Sequence, residues 1–588
     1  MTAPNRNALW ARAIVDELGA AGVEAAVIAP GSRSTPLTVA LAEDDSIETF
    51  SHLDERSAAF FALGRAKRTG TPIAVVSTSG TAAANFHPAV IEANQSRVPL
   101  VVLTADRPPA LHDSGANQTI DQRGLYGTAV RAARTLPEPV ADDRTLRSLR
   151  TTVDRAVGAA EGVPPGPIHL NVPFEKPLEP VEVPGDVPEG FEAEFPLAAG
   201  GRDGPFVDVA RGVRGLNDDD LASVVAAVEA AERGLIVTGP DTAGALSRGS
   251  VERLAGATGF PVFADPLSGL RFGPHVDAVT IIDGYDGFLA PAVYGRWPDP
   301  DVVLRFGASP TSKHLRTYLA AVDARQFVVD PAGEWREATF TATDLLVTDP
   351  DRFAQGIESA IDRSPNGDWH QRLERANDAH WAAVDAAETS ALEGRIVGDV
   401  VADAPEGATL FVANSMPVRD LDRFGRQRPS ELTVLGNRGA SGIDGLTSTA
   451  LGAGSAIDDD LVFVTGDLSY FHDMNGLLAL GRFGLQATIV LIDNDGGGIF
   501  HKLPIEDFDP PFTTYFETPH GLDFSPTGDL YGLSFASVTG PSAFRDRYRK
   551  SLESEGTQVV AVTTDATASH RIREEIKSDV VETLADRP

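Results

Sequence analysis

The stretches LVFVTGD (461–467) and ATIVLIDN (487–494) decide the fold class of this chain. Each is an apolar run of strand length that ends in an oxygen-bearing side chain, Asp467 in the first and Asn494 in the second. Asn494 lies 27 positions after Asp467, which leaves room for one helix across FHDMNGLLALGRFG (471–484) and two turns. A strand, a helix and a second strand of these lengths predict a right-handed crossover with parallel strands side by side. Such a unit places a carboxylate and an amide oxygen close together above the sheet. Hard oxygen ligands suit Mg²⁺, which keeps its remaining positions for phosphate oxygens and water. Gly496, Gly497 and Gly498 follow directly and let the backbone approach a diphosphate closely. Either residue alone reads as an ordinary strand-end turn; the combination at this spacing favours the metal site.

The same pattern extends in both directions. In the first third, EAAVIAPGS (24–32), PIAVVSTSGT (72–81) and PLVVLTADRPP (99–109) are short apolar strands with Gly, Ser, Thr or Asp at their ends. SAAFFALGRAKR (57–68) between them has helical spacing. The block closes at PGPIHLNVPFEKPLEP (165–180), and residues 180–205, rich in Pro, Gly and Glu, read as a linker. A second block opens at LNDDDLASVVAAVEAAERG (216–234), whose Asn-Asp-Asp-Asp start can cap a helix. It continues through GLIVTGP (234–240), GFPVFADPLSG (259–269) and DVVLRFGAS (301–309), and a helical, polar stretch near 365–395 leads onward. The third block adds TLFVANS (409–415) and LTVLGNRGASGIDG (432–445) to the two deciding strands. The expectation is an α/β chain of three doubly wound parallel-sheet domains, 1–185, 200–375 and 390–588, with ligands at the carboxyl ends of the strands.

Bulk composition excludes several classes. There is no cysteine, hence no disulfide, thiolate metal site or cysteine nucleophile. No apolar run approaches the roughly 20 residues that span a bilayer. The first 22 residues read as a short amphipathic helix carrying Asp16 and Glu17 rather than a signal peptide, so a cytoplasmic protein is expected. Acidic residues outnumber basic ones 84 to 50, a net charge of −34, and only six of the 50 are lysine. Such a surface repels nucleic acid and anionic membranes. Spread along the chain, the charge reads as solvation suited to high salt; the alternative is an acidic protein of ordinary surroundings.

Gly-Asp followed by Asn after 27 residues resembles the diphosphate-binding motif of thiamine-diphosphate enzymes. That cofactor activates its own C2 through its 4′-imino group, and the protein assists by hydrogen-bonding a carboxyl group to N1′. The resemblance points to Glu55, in SHLDERSAAFFALG (51–64), for that carboxyl; read alone, Glu55 is a helix-start acid favourable to the helix dipole. It also implies the metal set Asp467, Asn494 and Gly496 around Mg²⁺ or Mn²⁺. Ile443 lies under the thiazolium by the same resemblance, with Ile499 and Phe500 beside the cofactor. A homodimer, or a dimer of dimers, follows from the family's habit of placing the glutamate and the metal motif on neighbouring subunits. SGIDG and VLGNRG could pass for a nucleotide-binding glycine loop, but they lack the GxGxxG order.

Longer motifs narrow the resemblance. IAPGSRSTPLT (28–38), TSGTAAAN (78–85), GANQTIDQ (115–122), NSMPVRD (414–420) and NRGASGIDGLTSTA (437–450) are similar to the menaquinone-pathway branch of the family. That branch decarboxylates 2-oxoglutarate and adds the succinyl carbanion equivalent to isochorismate. Two such substrates bring four carboxylates, and arginine binds carboxylates bidentately. By resemblance Ser32, Arg33, Arg107, Asn117, Gln118 and Lys313 face isochorismate, while Ser415, Arg419 and Arg438 handle the 2-oxoglutarate-derived part. Two departures stand out. Lys313-His314 replaces a Lys-Arg pair, and Asp495 replaces a second asparagine, either adding charge near the metal or merely facing solvent. The rivals are another thiamine-diphosphate carboligase or 2-oxo acid decarboxylase, and a non-catalytic metabolite-binding protein on the same fold.

Overall fold

Three sheets, all of parallel strands, organise the computed structural model, which describes residues 3–240, 246–361, 367–387 and 392–585. The first holds β1 (Ala25–Ala29), β2 (Glu48–Ser51), β3 (Ile73–Ser77), β4 (Leu100–Asp106), β5 (Ala132–Thr135) and β6 (Ile168–Pro173), in the order β2-β1-β3-β4-β6-β5. The second holds β7 (Gly234–Thr238), β8 (Val262–Ala264), β9 (Val302–Phe306), β10 (Arg325–Val329) and β11 (Asp344–Leu346), ordered β11-β10-β9-β7-β8. The third holds β12 (Thr409–Val412), β13 (Thr433–Leu435), β14 (Leu461–Gly466), β15 (Thr488–Asp493), β16 (Ser534–Thr539) and β17 (Gln558–Thr563), ordered β13-β12-β14-β15-β17-β16. The outer two sheets thus repeat one topology. In each, the order reverses beside the first strand, opening a crevice at β1/β3 and at β12/β14 where doubly wound sheets bind ligands.

By compactness the chain forms two units. One comprises Met1–Gly212, Asn437–Ile457 and Asp473–Leu485; the other Val213–Gly436, Asp458–His472 and Gln486–Pro588. In the first unit the expected amphipathic helix is Arg6–Ala20, capped by Asn5, whose side chain accepts from Ala8 N at 3.0 Å. Its Trp10, Ile14 and Leu18 pack with Val76, Leu103 and Leu170 of the sheet. Glu17 of the acidic pair is buried and accepts from Arg150 Nη1 at 2.7 Å.

Residues 180–205 are not a free linker. Phe191 and Ala198 sit in the same core, and the carbonyls of Ala198 and Ala199 accept from the buried Arg150 guanidinium at 2.9 and 2.6 Å. Composition suggested a loose segment because the few apolar residues that anchor it are far apart. In the second unit the helix Asp218–Ala230 is capped as expected, by Asn217 accepting from Asp220 N at 2.9 Å.

The crossover from β14 to β15 differs from the single helix its spacing suggests. It contains the helix Asp467–His472, the 3₁₀ turn Met474–Leu477 and the helix Leu478–Phe483. The break falls at Asp473, which is fully buried and accepts from Ser448 N at 2.7 Å. The backbone of Asp473, at φ −131° and ψ 27°, lies outside helical geometry. The last eighty residues supply β16, β17 and the helix Ala566–Ala585, completing the third sheet.

Many surface ion pairs, such as Arg426–Asp385 at 2.8 Å and Arg123–Asp121 at 2.9 Å, are exposed and contribute little to stability because solvent screens them. They leave the surplus of acids in place. Folding compresses those charges, and at 1 M salt the screening length falls to about 3 Å. The melting temperature is therefore expected to rise as KCl is raised into the molar range. A melting temperature indifferent to KCl would refute high-salt adaptation.

Candidate active site

In the second unit, β14 and β15 are parallel neighbours in register, Gly466 opposite Ile492. Their ends carry the two residues that the sequence singled out. Asp467 is 3% exposed, and burial raises its pKa. Its Oδ2 accepts from the backbone N–H of Asn494 at 3.2 Å and of Gly496 at 2.9 Å. Asn494 Nδ2 donates to Glu393 Oε1 at 2.9 Å, which turns the amide so that Oδ1 faces the other way. That oxygen is buried and, among the described residues, has no hydrogen-bond partner. An orphaned acceptor next to a desolvated carboxylate is costly unless a cation meets both. The pair fits a hard divalent ion.

The glycines are required by the protein's own backbone. Gly496 has φ +154°, and a Cβ there would lie 2.2 Å from the Glu517 carbonyl. At Gly497 it would lie 2.4 Å from the Phe516 carbonyl, and at Gly498 2.7 Å from Asn494 Nδ2. Ile499 and Phe500 follow in the turn Gly498–Lys502, half-buried. Asp495 turns to its own loop and solvent: at φ +60° its exposed carboxylate accepts from His520 N at 3.0 Å and Gly521 N at 2.6 Å. It ties down the loop that brings His520 Nε2 to 3.4 Å from Asp467 Oδ2. Ligand atoms of Asp467, Asp493 and His520 all lie within 4.8 Å of one another. An imidazole favours softer transition metals, whereas Asp467 and Asn494 make an oxygen set suited to Mg²⁺ or Mn²⁺.

Beside β12, Ser415 has φ +69° and ψ −125°, strained backbone of the kind found at ligand sites. Its carbonyl accepts from Arg419 Nη1 at 2.5 Å, one turn along the helix Met416–Phe424. Lys313 is exposed and opens the helix Lys313–Ala321, capped by Ser312.

The first unit gathers the other set. β1 and β3 are paired, and the turn Ser32–Ser34 follows β1, with Ser32 exposed and Arg33 buried. Burial, and then the neighbouring Arg107, push the Arg33 pKa down. Arg33 Nη1 donates to the Phe174 carbonyl at 2.6 Å. Arg107 donates to Ser79 Oγ at 2.8 Å and the Asn117 carbonyl at 2.9 Å, and Gln118 Nε2 donates to the Ser79 carbonyl at 2.9 Å. Arg107 and Gln118 thus meet at Ser79, Arg107 also holds Asn117, and Arg33 is close enough to feel the Arg107 charge.

Glu55 is the first residue of the helix Glu55–Thr69, with Asp54 as its cap. It is half-buried and, among the described residues, its carboxylate has no hydrogen-bond or ion-pair partner. In the same unit, the loop carrying Arg438 and Ile443 is held by Glu92. That carboxylate accepts from Gly439 N at 2.9 Å, Ala440 N at 2.6 Å and Lys67 Nζ at 3.2 Å. The loop ends at Gly445, φ +66°, where a Cβ would meet the Phe60 ring at 2.0 Å. Sequence reasoning missed Glu92, Glu393 and His520. Each works with partners far away along the chain, and no local motif marks them.

Two family models match this chain: the thiamine pyrophosphate enzyme N-terminal TPP binding domain at residues 10–125, and the C-terminal TPP binding domain at 421–562. A benzoylformate decarboxylase structure from Polynucleobacter necessarius shares the fold, with TM-score 0.69 and 17% identity, covering 95% of this chain and 98% of that one. Among curated relatives, the 2-succinyl-5-enolpyruvyl-6-hydroxy-3-cyclohexene-1-carboxylate synthase of Haloarcula marismortui is 59% identical, with 100% of both chains covered. Its namesake in Halobacterium salinarum is 60% identical over 99% of each, and that in Roseiflexus castenholzii 46% identical over 96% of this chain and 97% of the other. This chain belongs to the 2-succinyl-5-enolpyruvyl-6-hydroxy-3-cyclohexene-1-carboxylate synthase family of thiamine pyrophosphate enzymes. The halophilic relatives accord with the acidic composition. No helix among the described residues is long and apolar enough to cross a membrane.

Proposed function

We propose that the chain decarboxylates 2-oxoglutarate on thiamine diphosphate and adds the succinyl unit to isochorismate, in the cytoplasmic synthesis of menaquinone. The product named for its relatives contains both pieces. The observation that most supports cofactor chemistry in this chain is the buried, orphaned Asn494 oxygen beside Asp467. Asp467, Asn494 and Gly496 would hold Mg²⁺ or Mn²⁺, and Ile443, Ile499 and Phe500 would line the cofactor's surroundings. Bound thiamine diphosphate supplies an electron sink for the decarboxylation.

The chain's own residues do the rest. Glu55 hydrogen-bonds N1′ of the pyrimidine and shares its proton there. Ser415, Arg419 and Arg438 hold the donor's carboxylate. Ser32, Arg33, Arg107, Asn117, Gln118 and Lys313 bind and orient isochorismate, the arginines through paired N–H groups. In this reading 1–185 binds the pyrimidine, 200–375 is a central α/β domain, and 390–588 binds the diphosphate. The working form is a homodimer or a dimer of dimers. Mass analysis of the product from both substrates, with pyruvate replacing 2-oxoglutarate as a control, separates this reading from that of another carboligase.

A further inference from the structure

Lysine is scarce in this chain, six of 50 basic residues, so the position of each one carries information. Three of the six lie near His314 in the second unit: Lys313 precedes it in the chain, and Lys502 and Lys577 both act on it electrostatically. Lys577 Nζ lies 3.3 Å from His314 Nε2. The turn Gly498–Lys502 packs on the helix Ala566–Ala585, where His570 Nε2 lies 2.7 Å from the Gly498 carbonyl. The short helix Tyr285–Phe288 packs both on that helix and on Lys313–Ala321, which begins with Lys313 and His314. Lys502 therefore stands on the turn that directly follows the cofactor glycines.

The nearby carboxylates are already taken. Asp286 accepts from Ser312 Oγ at 2.5 Å and Arg423 Nε at 2.6 Å, and Asp420 pairs with Arg573. Glu574 offsets part of the charge at Lys577. Among the described residues Lys313 and Lys502 have no ion pair. His314 brings no charge, since burial and the surrounding cations push its pKa down to about 4. Lys502 is exposed along its stem, while burial of its amine, Arg423 and Arg573 push its pKa down to about 8. A local surplus of cations in a chain of net charge −34 repels itself until an anion enters. Lysine is suited to this as a mobile point charge on a long stem.

We propose that Lys502 and Lys577, acting with Lys313, bind a carboxylate of an incoming substrate and so set specificity in the reaction proposed above, on which this inference rests. They supply the charge that His314 does not.

The test uses Lys502→Met, Lys577→Met, the double variant and Lys502→Arg in the full-length protein with cofactor and metal. Loss of charge-assisted hydrogen bonds is expected to raise one substrate KM about 10–100-fold in the double variant. The kcat should stay within a few-fold, with affinity for thiamine diphosphate unchanged and Lys502→Arg close to wild type. A rise for 2-oxoglutarate assigns the donor carboxylate, and a rise for isochorismate assigns the acceptor. Calorimetric titration of each substrate into wild type and double variant reads the same contact without turnover. Wild-type protein that makes no product from the pair counts against the proposed function. Wild-type turnover with both KM values and both affinities unchanged in the double variant overturns the lysine site. So does a loss confined to cofactor affinity or melting temperature.

Discussion

Replacing Glu55 by glutamine is expected to lower kcat by about 10²–10⁴, the usual worth of a positioned acid–base group. In barrier terms that is roughly 3–5 kcal/mol. Glutamine keeps the size and a hydrogen bond but cannot share a proton with N1′. Cofactor affinity should change little, and KM for 2-oxoglutarate far less than kcat. Glu55 suits this role because it opens a helix, is half-buried, and has no competing partner among the described residues. If it served only the helix dipole, its loss would cost about 1 kcal/mol of stability or less and leave turnover intact. Exchange of the bound cofactor's C2 proton, measured beside turnover, separates the two. Wild-type exchange in Glu55→Gln would show that another carboxylate does this work.

The second large effect is expected at the metal. Asp467→Ala or Asn494→Ala should weaken binding of thiamine diphosphate with Mg²⁺ by more than about 100-fold, beyond the 10–100-fold typical of residues that only orient ligands. Both residues lie at the ends of β14 and β15, so truncation opens no hole in the apolar core. Without cofactor both variants should still unfold cooperatively, with a modest drop in melting temperature in Asp467→Ala from the backbone N–H groups it leaves unpaired. His520→Ala should retain most of the affinity if the ion is held by the Asp467 and Asn494 oxygens. Calorimetric titration reads all three, and unchanged affinity in both Asp467→Ala and Asn494→Ala would remove the metal assignment.

How much of this was legible in the sequence depends on the range of the interactions. Strand ends were legible, because β1, β3, β4, β14 and β15 are uninterrupted apolar runs closed by small or polar residues. Asp467 and Asn494 could be paired because one crossover fixes their separation. β16 was not legible: SFASVT is an edge strand, mostly half-buried or exposed, without an apolar run. The buried contact of Asp473 was hidden because its partner, the Ser448 N–H, lies 25 residues away. Glu393 orients Asn494 from 101 residues away, and Glu92 holds the Arg438 loop from 347 away. Such partners leave no trace in local pattern. The lysine cluster is of the same kind: scarcity of lysine was visible, its convergence was not.

A two-substrate reaction is read most directly from the mass of its product. Protein with thiamine diphosphate and Mg²⁺ is incubated with uniformly ¹³C-labelled 2-oxoglutarate and unlabelled isochorismate. Labelled CO₂ is expected, with one product carrying four labelled carbons joined to the intact isochorismate skeleton, dependent on both cofactor and metal. Labelled CO₂ without that adduct, or an adduct formed as readily from pyruvate, would contradict that reaction.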